Sequence, residues 1–243
     1  MVFRLPDARV HYPGQGTALI TLPQDSQTPM PVVIAIHGAG RSALDYRDTP
    51  FYMRQQQIAR EQGCLFAAIS NGPDAWGTDD GLYNVECLLD YVLTHYKTAS
   101  KVLLWPTSAG GVLAHRLVKK RPEQIAAVLG TFPVYDLAAE FPLLDACGQA
   151  WKVSTQEELL QKISGKNPPD FIEDLQNTPY FIAHGDEDTA VPLAKNSARL
   201  AADCGSNVHL QIIPHGQHSC QDMRYLETVP AAAFLFYKQL LGR

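Results

Sequence analysis

The stretch LLWPTSAGGVLAHRL (103–117) changes period at its centre. An apolar run leads into small residues around Ser108, and Val112, Leu113 and Leu117 then recur at helical spacing. A short apolar run that switches to a 3.6-residue period reads as a buried strand turning sharply into a helix. Two readings of Ser108 fit this corner: a cap on the first turn of the helix, or a nucleophile raised on a strained strand-to-helix turn. The second reading usually has glycine two residues before the serine, and here that place is taken by Pro106. A proline brings bulk and removes an N–H, which a central strand tolerates only where its ladder ends.

Outward from this corner the same alternation continues. PVVIAI (31–36), CLFAAIS (64–70), KVLLW (101–105), IAAVLGTF (125–132) and YFIAH (180–184) are almost continuously apolar, as parallel strands covered on both faces should be. Between them, Leu82, Val85, Leu88, Leu89, Val92 and Leu93 mark one helical stripe, and Val112, Leu113, Leu117 and Val118 another. NVHLQII (207–213) alternates, with Val208, Leu210 and Ile212 expected on one face of a half-exposed strand near the sheet edge. A last helix over about 222–241 is expected to bury Leu226, Val229, Ala233, Phe236, Tyr237 and Leu240. The fold class is therefore α/β, a mostly parallel sheet with helices on both faces. One segment breaks the pattern: 136–178, with Phe141, Pro142, Trp151, Pro168, Pro169 and a helical stretch at 157–163, is expected to be an insertion lying over the carboxyl edge of the sheet and the active site.

With 243 residues, 46% hydrophobic and 19% charged, the chain suits one domain, 1–243, with a single large core. Its formal charge of -5 and the lack of any basic run beyond Lys119, Lys120 and Arg121, placed at a helix end, argue against nucleic acid as a partner. Arg4, Asp7 and Arg9 interrupt the amino terminus where a secretory signal would be apolar, and no run is long enough to span a bilayer. The five cysteines lack C-x-x-C spacing, so neither a metal site nor a disulfide framework is expected, and a reducing cytoplasm is the preferred location. No cofactor is implied. The expected partner is a small-molecule ester, and the sequence leaves the oligomeric state open.

Open parallel sheets bind ligands beyond the carboxyl ends of their strands. Past successive strands lie His37-Gly38-Ala39-Gly40, then Asn71-Gly72-Pro73, then Ser108, then Asp186, Glu187 and Asp188, then His215 and His218. A serine needs a histidine to take its proton and a carboxylate to hold the imidazole, so these three residue types in this position form a chemical set.

HGAG (37–40), TSAGG (107–111), HGDEDTAVP (184–192) and HGQHS (215–219) resemble the oxyanion loop, nucleophile elbow, acid loop and histidine loop of α/β-hydrolase-fold serine esterases. The resemblance runs from about residue 30 to the end. Its finer tone is that of the feruloyl-esterase, polyhydroxybutyrate-depolymerase and dienelactone-hydrolase-like group. It implies Ser108 as nucleophile, His218 rather than His215 as base, and Asp188 rather than Asp186 or Glu187 as the orienting acid. The Ala39 and Ala109 amides would form the oxyanion hole, with Gly38 and Gly40 letting the loop approach substrate. His37 is expected to brace its loop through backbone hydrogen bonds, and His11, His95, His115, His184 and His209 to be packed or solvated. Trp76 and Trp151, with Phe132 and Tyr135, are candidate pocket walls.

The expected activity is hydrolysis of a carboxylic ester with a small or aromatic acyl group through an acyl-enzyme, without activation at an oil-water interface. An acyltransferase would use the same residues with a different acceptor. A non-catalytic binding protein on the same fold is a further alternative. A peptidase of the prolyl-oligopeptidase kind is disfavoured, because no propeller-sized repeat array precedes the hydrolase segment.

Overall fold

A computed structural model of the chain describes residues 1–23, 25, 28–140 and 145–242. Eight strands form one sheet: β1 (Val2–Arg4), β2 (Thr17–Thr21), β3 (Val32–Ile36), β4 (Leu65–Ile69), β5 (Val102–Pro106), β6 (Ile125–Thr131), β7 (Tyr180–Gly185) and β8 (Val208–Ile213). Their order is β1-β2-β4-β3-β5-β6-β7-β8. β1 and β2 pair antiparallel, β2 meets β4 antiparallel, and every later pairing is parallel. The two antiparallel strands were not anticipated; β1 is three residues long, too short for a periodic signal.

The apolar runs become strands whose residues are all buried, from β3 through β7. Side chains alternate across a pleated sheet, so each run feeds two cores. Ile34, Ile36, Leu104 and Val128 join one, beneath α2 (Asp79–His95) and α3 (Gly110–Lys120). Val33, Ala35, Leu103 and Leu129 join the other, beneath α1 (Pro50–Glu61) and α6 (Val229–Leu240). The start of α2 is fixed by Thr78, whose hydroxyl accepts from the Gly81 N–H. Lys120 and Arg121, at the end of α3, bind Glu86 and Asp90 of α2, which absorbs most of the basic cluster.

Two details of the apolar pattern differ. On β8, at the sheet edge, Ile213 is buried and Ile212 is 49% exposed, because the terminal residue turns into the core on the opposite face. In α6, Phe234 is buried where Leu240 was expected, and Leu240, in the last turn, is 48% exposed.

The segment between β6 and β7 carries α4 (Gln156–Ile163), which opens on a reciprocal cap between Thr155 and Glu158. Leu159 and Ile163 of this helix pack with Trp76, Val112, Val134, Cys147 and Trp151 in a third apolar cluster. Phe141 and Pro142 lie outside the described residues. Among the described residues Cys87, Cys147, Cys204 and Cys220 are free thiols, no three potential ligands converge on a metal position, and no helix is long and apolar enough to cross a membrane.

Candidate active site

Ser108 sits at the carboxyl end of β5 with φ +53°, in the left-handed region that a non-glycine residue occupies only when its surroundings impose it. Its N–H donates to Thr131 O at 3.1 Å, and its carbonyl accepts from Val134 N–H at 2.9 Å, so the end of β6 holds the turn. Its side chain does not cap α3, whose N-cap is Ala109. Instead Oγ lies 2.9 Å from Nε2 of His218.

Pro106 is accommodated as its chemistry requires. The β5–β6 pairing reaches Leu104 opposite Val128 and resumes only as a bridge between Thr107 and Thr131. The missing N–H therefore falls where the ladder on that side has lapsed. On the helix side, a Cβ on Gly110 would stand 2.4 Å from the Ile36 carbonyl oxygen, so only glycine lets α3 start against the end of β3.

His218 follows β8, and its Nδ1 lies 2.7 Å from Oδ2 of Asp188. A carboxylate there accepts the Nδ1 proton, which leaves Nε2 bare to accept from the Ser108 hydroxyl. The ring leans on Phe132 at a centroid distance of 4.5 Å. Asp188 is buried, and its Oδ1 accepts from the Ala190 and Val191 amides at 3.0 and 2.8 Å. Burial alone would raise its pKa, but hydrogen bonds from His184 and His218, with the Val191 amide, hold the carboxyl at about 2. His184 is buried behind it, with Nε2 2.8 Å from the Val191 carbonyl, 3.4 Å from Asp188 Oδ2, and Nδ1 2.7 Å from the hydroxyl of Ser197, the first residue of α5 (Ser197–Cys204).

The rival residues are paired elsewhere. His215 is exposed and binds Glu187 at 2.7 Å, and Asp186 is exposed. The loops carrying the two pairs touch through glycine, since a Cβ on Gly185 would lie 2.1 Å from the Gly216 carbonyl oxygen. His37 is fully buried, with Nδ1 2.8 Å from the Gly38 carbonyl and Nε2 accepting from the Asn71 N–H at 3.0 Å, so it ties the Gly38 loop to the end of β4. His115 is also fully buried, between Tyr135 and Tyr180, with neither ring nitrogen hydrogen-bonded, and burial lowers its pKa to about 3.

A cleft of about 690 Å³ opens at Ser108. Gly38, Ala39 and Arg41 bound one side, the start of α1 from Thr49 to Tyr52 another, Phe132 the floor beside His218, and Ser219, Cys220, Gln221 and Met223 the remainder. Neither the Ala39 nor the Ala109 amide donates to an acceptor among the described residues. Gly40, with φ +69°, is exposed and outside the lining, so it serves the turn rather than the cleft wall.

The expected walls lie elsewhere. Trp76 and Trp151 are 2% and 7% exposed in the third apolar cluster, joined by a hydrogen bond from Trp151 Nε1 to the Trp76 carbonyl at 2.9 Å. Tyr135 is in the core beneath α3. No described residue of 136–178 lines the cleft, because that insertion finds apolar partners on α3 and around Trp76 and packs there. Of the aromatic candidates, Phe132 reaches the cleft. Arg41, Thr49, Tyr52 and Met223 were missed. Arg41, Thr49 and Tyr52 follow β3 within sixteen residues and belong to the crevice by the same strand-end rule, had the reading gone past Gly40.

Solved structures with the same fold include Est1E from Butyrivibrio proteoclasticus, with a TM-score of 0.71 and 20% identity over 96% of this chain and 98% of that one. The S-formylglutathione hydrolase FrmB from Staphylococcus aureus gives 0.72 at 14% identity over 94% and 96%. A puromycin-hydrolyzing peptidase from Mycobacterium tuberculosis gives 0.75 at 16% identity over 100% of this chain but 39% of that longer one. No curated protein sequence matches the chain. The model of the prolyl oligopeptidase family matches residues 73–243, a span holding Ser108, Asp188 and His218. The propeller argument was therefore a poor reason to set that family aside, because the match rests on the hydrolase segment alone. The eight-stranded sheet and the family match together make this chain a serine hydrolase of the α/β-hydrolase fold, and it belongs to the prolyl oligopeptidase family.

Proposed function

We propose that the protein hydrolyses carboxylic esters of small or aromatic acyl groups through a Ser108 acyl-enzyme. The observation that carries this reading is the unbroken line from Ser108 Oγ through His218 to the buried Asp188 carboxylate, at 2.9 and 2.7 Å, on a serine with positive φ. His218 Nε2 takes the hydroxyl proton as Oγ attacks the carbonyl carbon, and the imidazolium returns it to the departing alkoxide. Water then repeats the sequence on the acyl-enzyme and restores the serine. The Ala39 and Ala109 amides, one on the cleft wall and one at the start of α3, receive the charge that develops on the carbonyl oxygen. Asp188 stays ionised throughout and fixes the imidazole tautomer.

The acyl preference is supported by the small residues beside Ser108 and by the rings of Phe51, Tyr52 and Phe132 in the cleft. One neighbour in fold is described with ferulic acid bound. A second reading, hydrolysis of amides, is favoured by the family to which the chain belongs. The proposed location is a reducing cytoplasm, which suits the free thiols of Cys87, Cys147, Cys204 and Cys220.

Matched esters and anilides of acetate, butyrate, octanoate and a cinnamate separate these readings. Hydrolysis is expected to be fastest on acetate, butyrate or cinnamate esters and slower by at least tenfold on the anilides. A steady climb of kcat/KM through octanoate, about fourfold per methylene at 0.8 kcal/mol each, would remove the short-acyl preference. Anilides cleaved as fast as esters would make the protein an amidase. Products formed with added alcohols report any acyl transfer.

A further inference from the structure

We infer, on the ester-hydrolase reading above, that Arg41 selects substrates carrying a carboxylate close to the scissile ester. Among the described residues that line the cleft, Arg41 alone bears a permanent charge. The rest of the lining is glycine, alanine, proline, aromatic rings, hydroxyls, one thiol, one amide, one methionine and the imidazole of His218. The chain as a whole is acidic, at -5, so general surface charge does not account for a cation there.

The guanidinium is poorly used within the protein. Its ion pair is to Asp45, with Nη1 3.3 Å from Oδ1. That carboxylate is already served by the Ser42 amide at 2.8 Å, the Ser42 hydroxyl at 3.1 Å and the Thr49 hydroxyl at 2.9 Å. By contrast Arg47 grips Asp48 with two nitrogens, at 2.7 and 2.6 Å. A guanidinium offers five N–H donors in a fork that fits a carboxylate through two parallel bonds, and Arg41 has most of that fork unspent. It is also held in position: its carbon lies 5.9 Å from the Tyr52 ring centroid. Burial pushes the Tyr52 hydroxyl and the Cys220 thiol up, and the Arg41 charge opposes both rises, so the cation faces groups on two walls of the cleft.

Its distance from the chemistry follows from the backbone. Gly38 abuts Ser108, since a Cβ on that glycine would lie 3.0 Å from the serine Cβ. The Arg41 N–H donates to the Gly38 carbonyl at 3.3 Å, closing a turn that contains Ala39. Arg41 is the second residue after Ala39, so their Cα atoms are at most about 7.6 Å apart. A carboxylate about two to four carbons from the ester carbonyl spans that interval, while the carbonyl oxygen meets the Ala39 amide. The half-esters of short dicarboxylic acids have this form on the acyl side, and acyl esters of hydroxybenzoates have it on the alcohol side.

Two substrate pairs test the inference on the full-length protein. One compares mono-4-nitrophenyl glutarate with methyl 4-nitrophenyl glutarate; the other compares 4-acetoxybenzoate with its methyl ester. In the unsubstituted protein the acid of at least one pair is expected to exceed its neutral partner in kcat/KM by about tenfold, and the pair that responds tells which side of the ester carries the anion. The preference should shrink as salt is raised. In Arg41→Gln the acid-to-neutral ratio should fall by about tenfold, and Arg41→Lys, which keeps charge but loses the fork, should fall between. Because each ratio is internal to one variant, partial unfolding cancels from it. Ratios unchanged by Arg41→Gln, with Ser108-dependent hydrolysis of both members, overturn the inference and leave the ester reading standing. No hydrolysis of any of the four compounds overturns the ester reading and the inference with it.

Discussion

Ser108→Ala is expected to lower kcat for ester hydrolysis by about 10⁴ to 10⁶-fold and to abolish labelling by a fluorophosphonate probe. The size of the effect follows from how little else in the cleft can attack a carbonyl. Cys220 also lines it, but burial pushes its thiol up and keeps it protonated near neutral pH, so it is a poor substitute nucleophile. The Ala39 and Ala109 amides would still polarise a bound carbonyl, which leaves a residual rate above that of water. Alanine at 108 keeps the backbone that the Thr131 and Val134 bonds hold, although it gives no relief at φ +53°, so the variant should fold with nearly the parent melting temperature. Undiminished hydrolysis in a folded Ser108→Ala protein would end the mechanism.

Asp188→Asn should cost about 10⁴ in kcat, while Glu187→Gln and Asp186→Asn each keep at least a tenth of the parent rate. An amide nitrogen at Oδ2 would offer a donor where His218 Nδ1–H needs an acceptor. The imidazole would then place its proton on Nε2, facing the Ser108 hydroxyl with the wrong polarity. Part of the loss is structural. The Asp188 carboxyl titrates at about 2 in the fold against an ordinary 3.8, so ionised Asp188 adds roughly 2 kcal/mol of stability above pH 4 that disappears as pH falls toward 2. A thermal melt beside the rate measurement separates the two contributions. If Glu187→Gln proved as damaging as Asp188→Asn, the exposed Glu187–His215 pair would have to be drawn into the reaction, and the assignment of the acid would change.

Ser108, Asp188 and His218 could be picked out of the sequence because each follows a strand whose apolar run is unmistakable, and because attack by serine requires the other two residue types. The choice between neighbouring acids was less accessible. Asp186, Glu187 and Asp188 differ only in which direction a turn points them, and the turn is set by Ala190 and Val191 amides and by the Gly185–Gly216 approach, which are tertiary facts. The cleft walls were misread for a related reason. Trp76 and Trp151 carry the same signal, a large ring in a loop or insertion, whether they face substrate or the interior, and both are buried in one apolar cluster. The 136–178 insertion, expected above the site from its length, prolines and aromatics, packs beside it: Leu159 and Ile163 share an apolar cluster with Ala109 and Val191, but its described residues do not line the cleft. On α6 and β8, helical and alternating periods gave the right elements, but Phe234 and Ile213 take the buried side and Leu240 and Ile212 are left in solvent.

His115 has a consequence for how the protein meets acid. Its imidazole is shut among tyrosine rings in the neutral form, with no acceptor for a second proton, and titrates at about 3 in the fold against an ordinary 6.5. Below pH 6.5 the unfolded chain takes up a proton that the folded chain refuses, so stability is lost at about 1.4 kcal/mol per pH unit until the pH nears 3. The molecule thus carries a latent acid fuse, remote from the cleft, that works by loosening the fold. The circular-dichroism signal should be lost as the pH falls, and His115→Leu should move that unfolding to lower pH; an unfolding limb that stays put in that variant would trace the loss to another group.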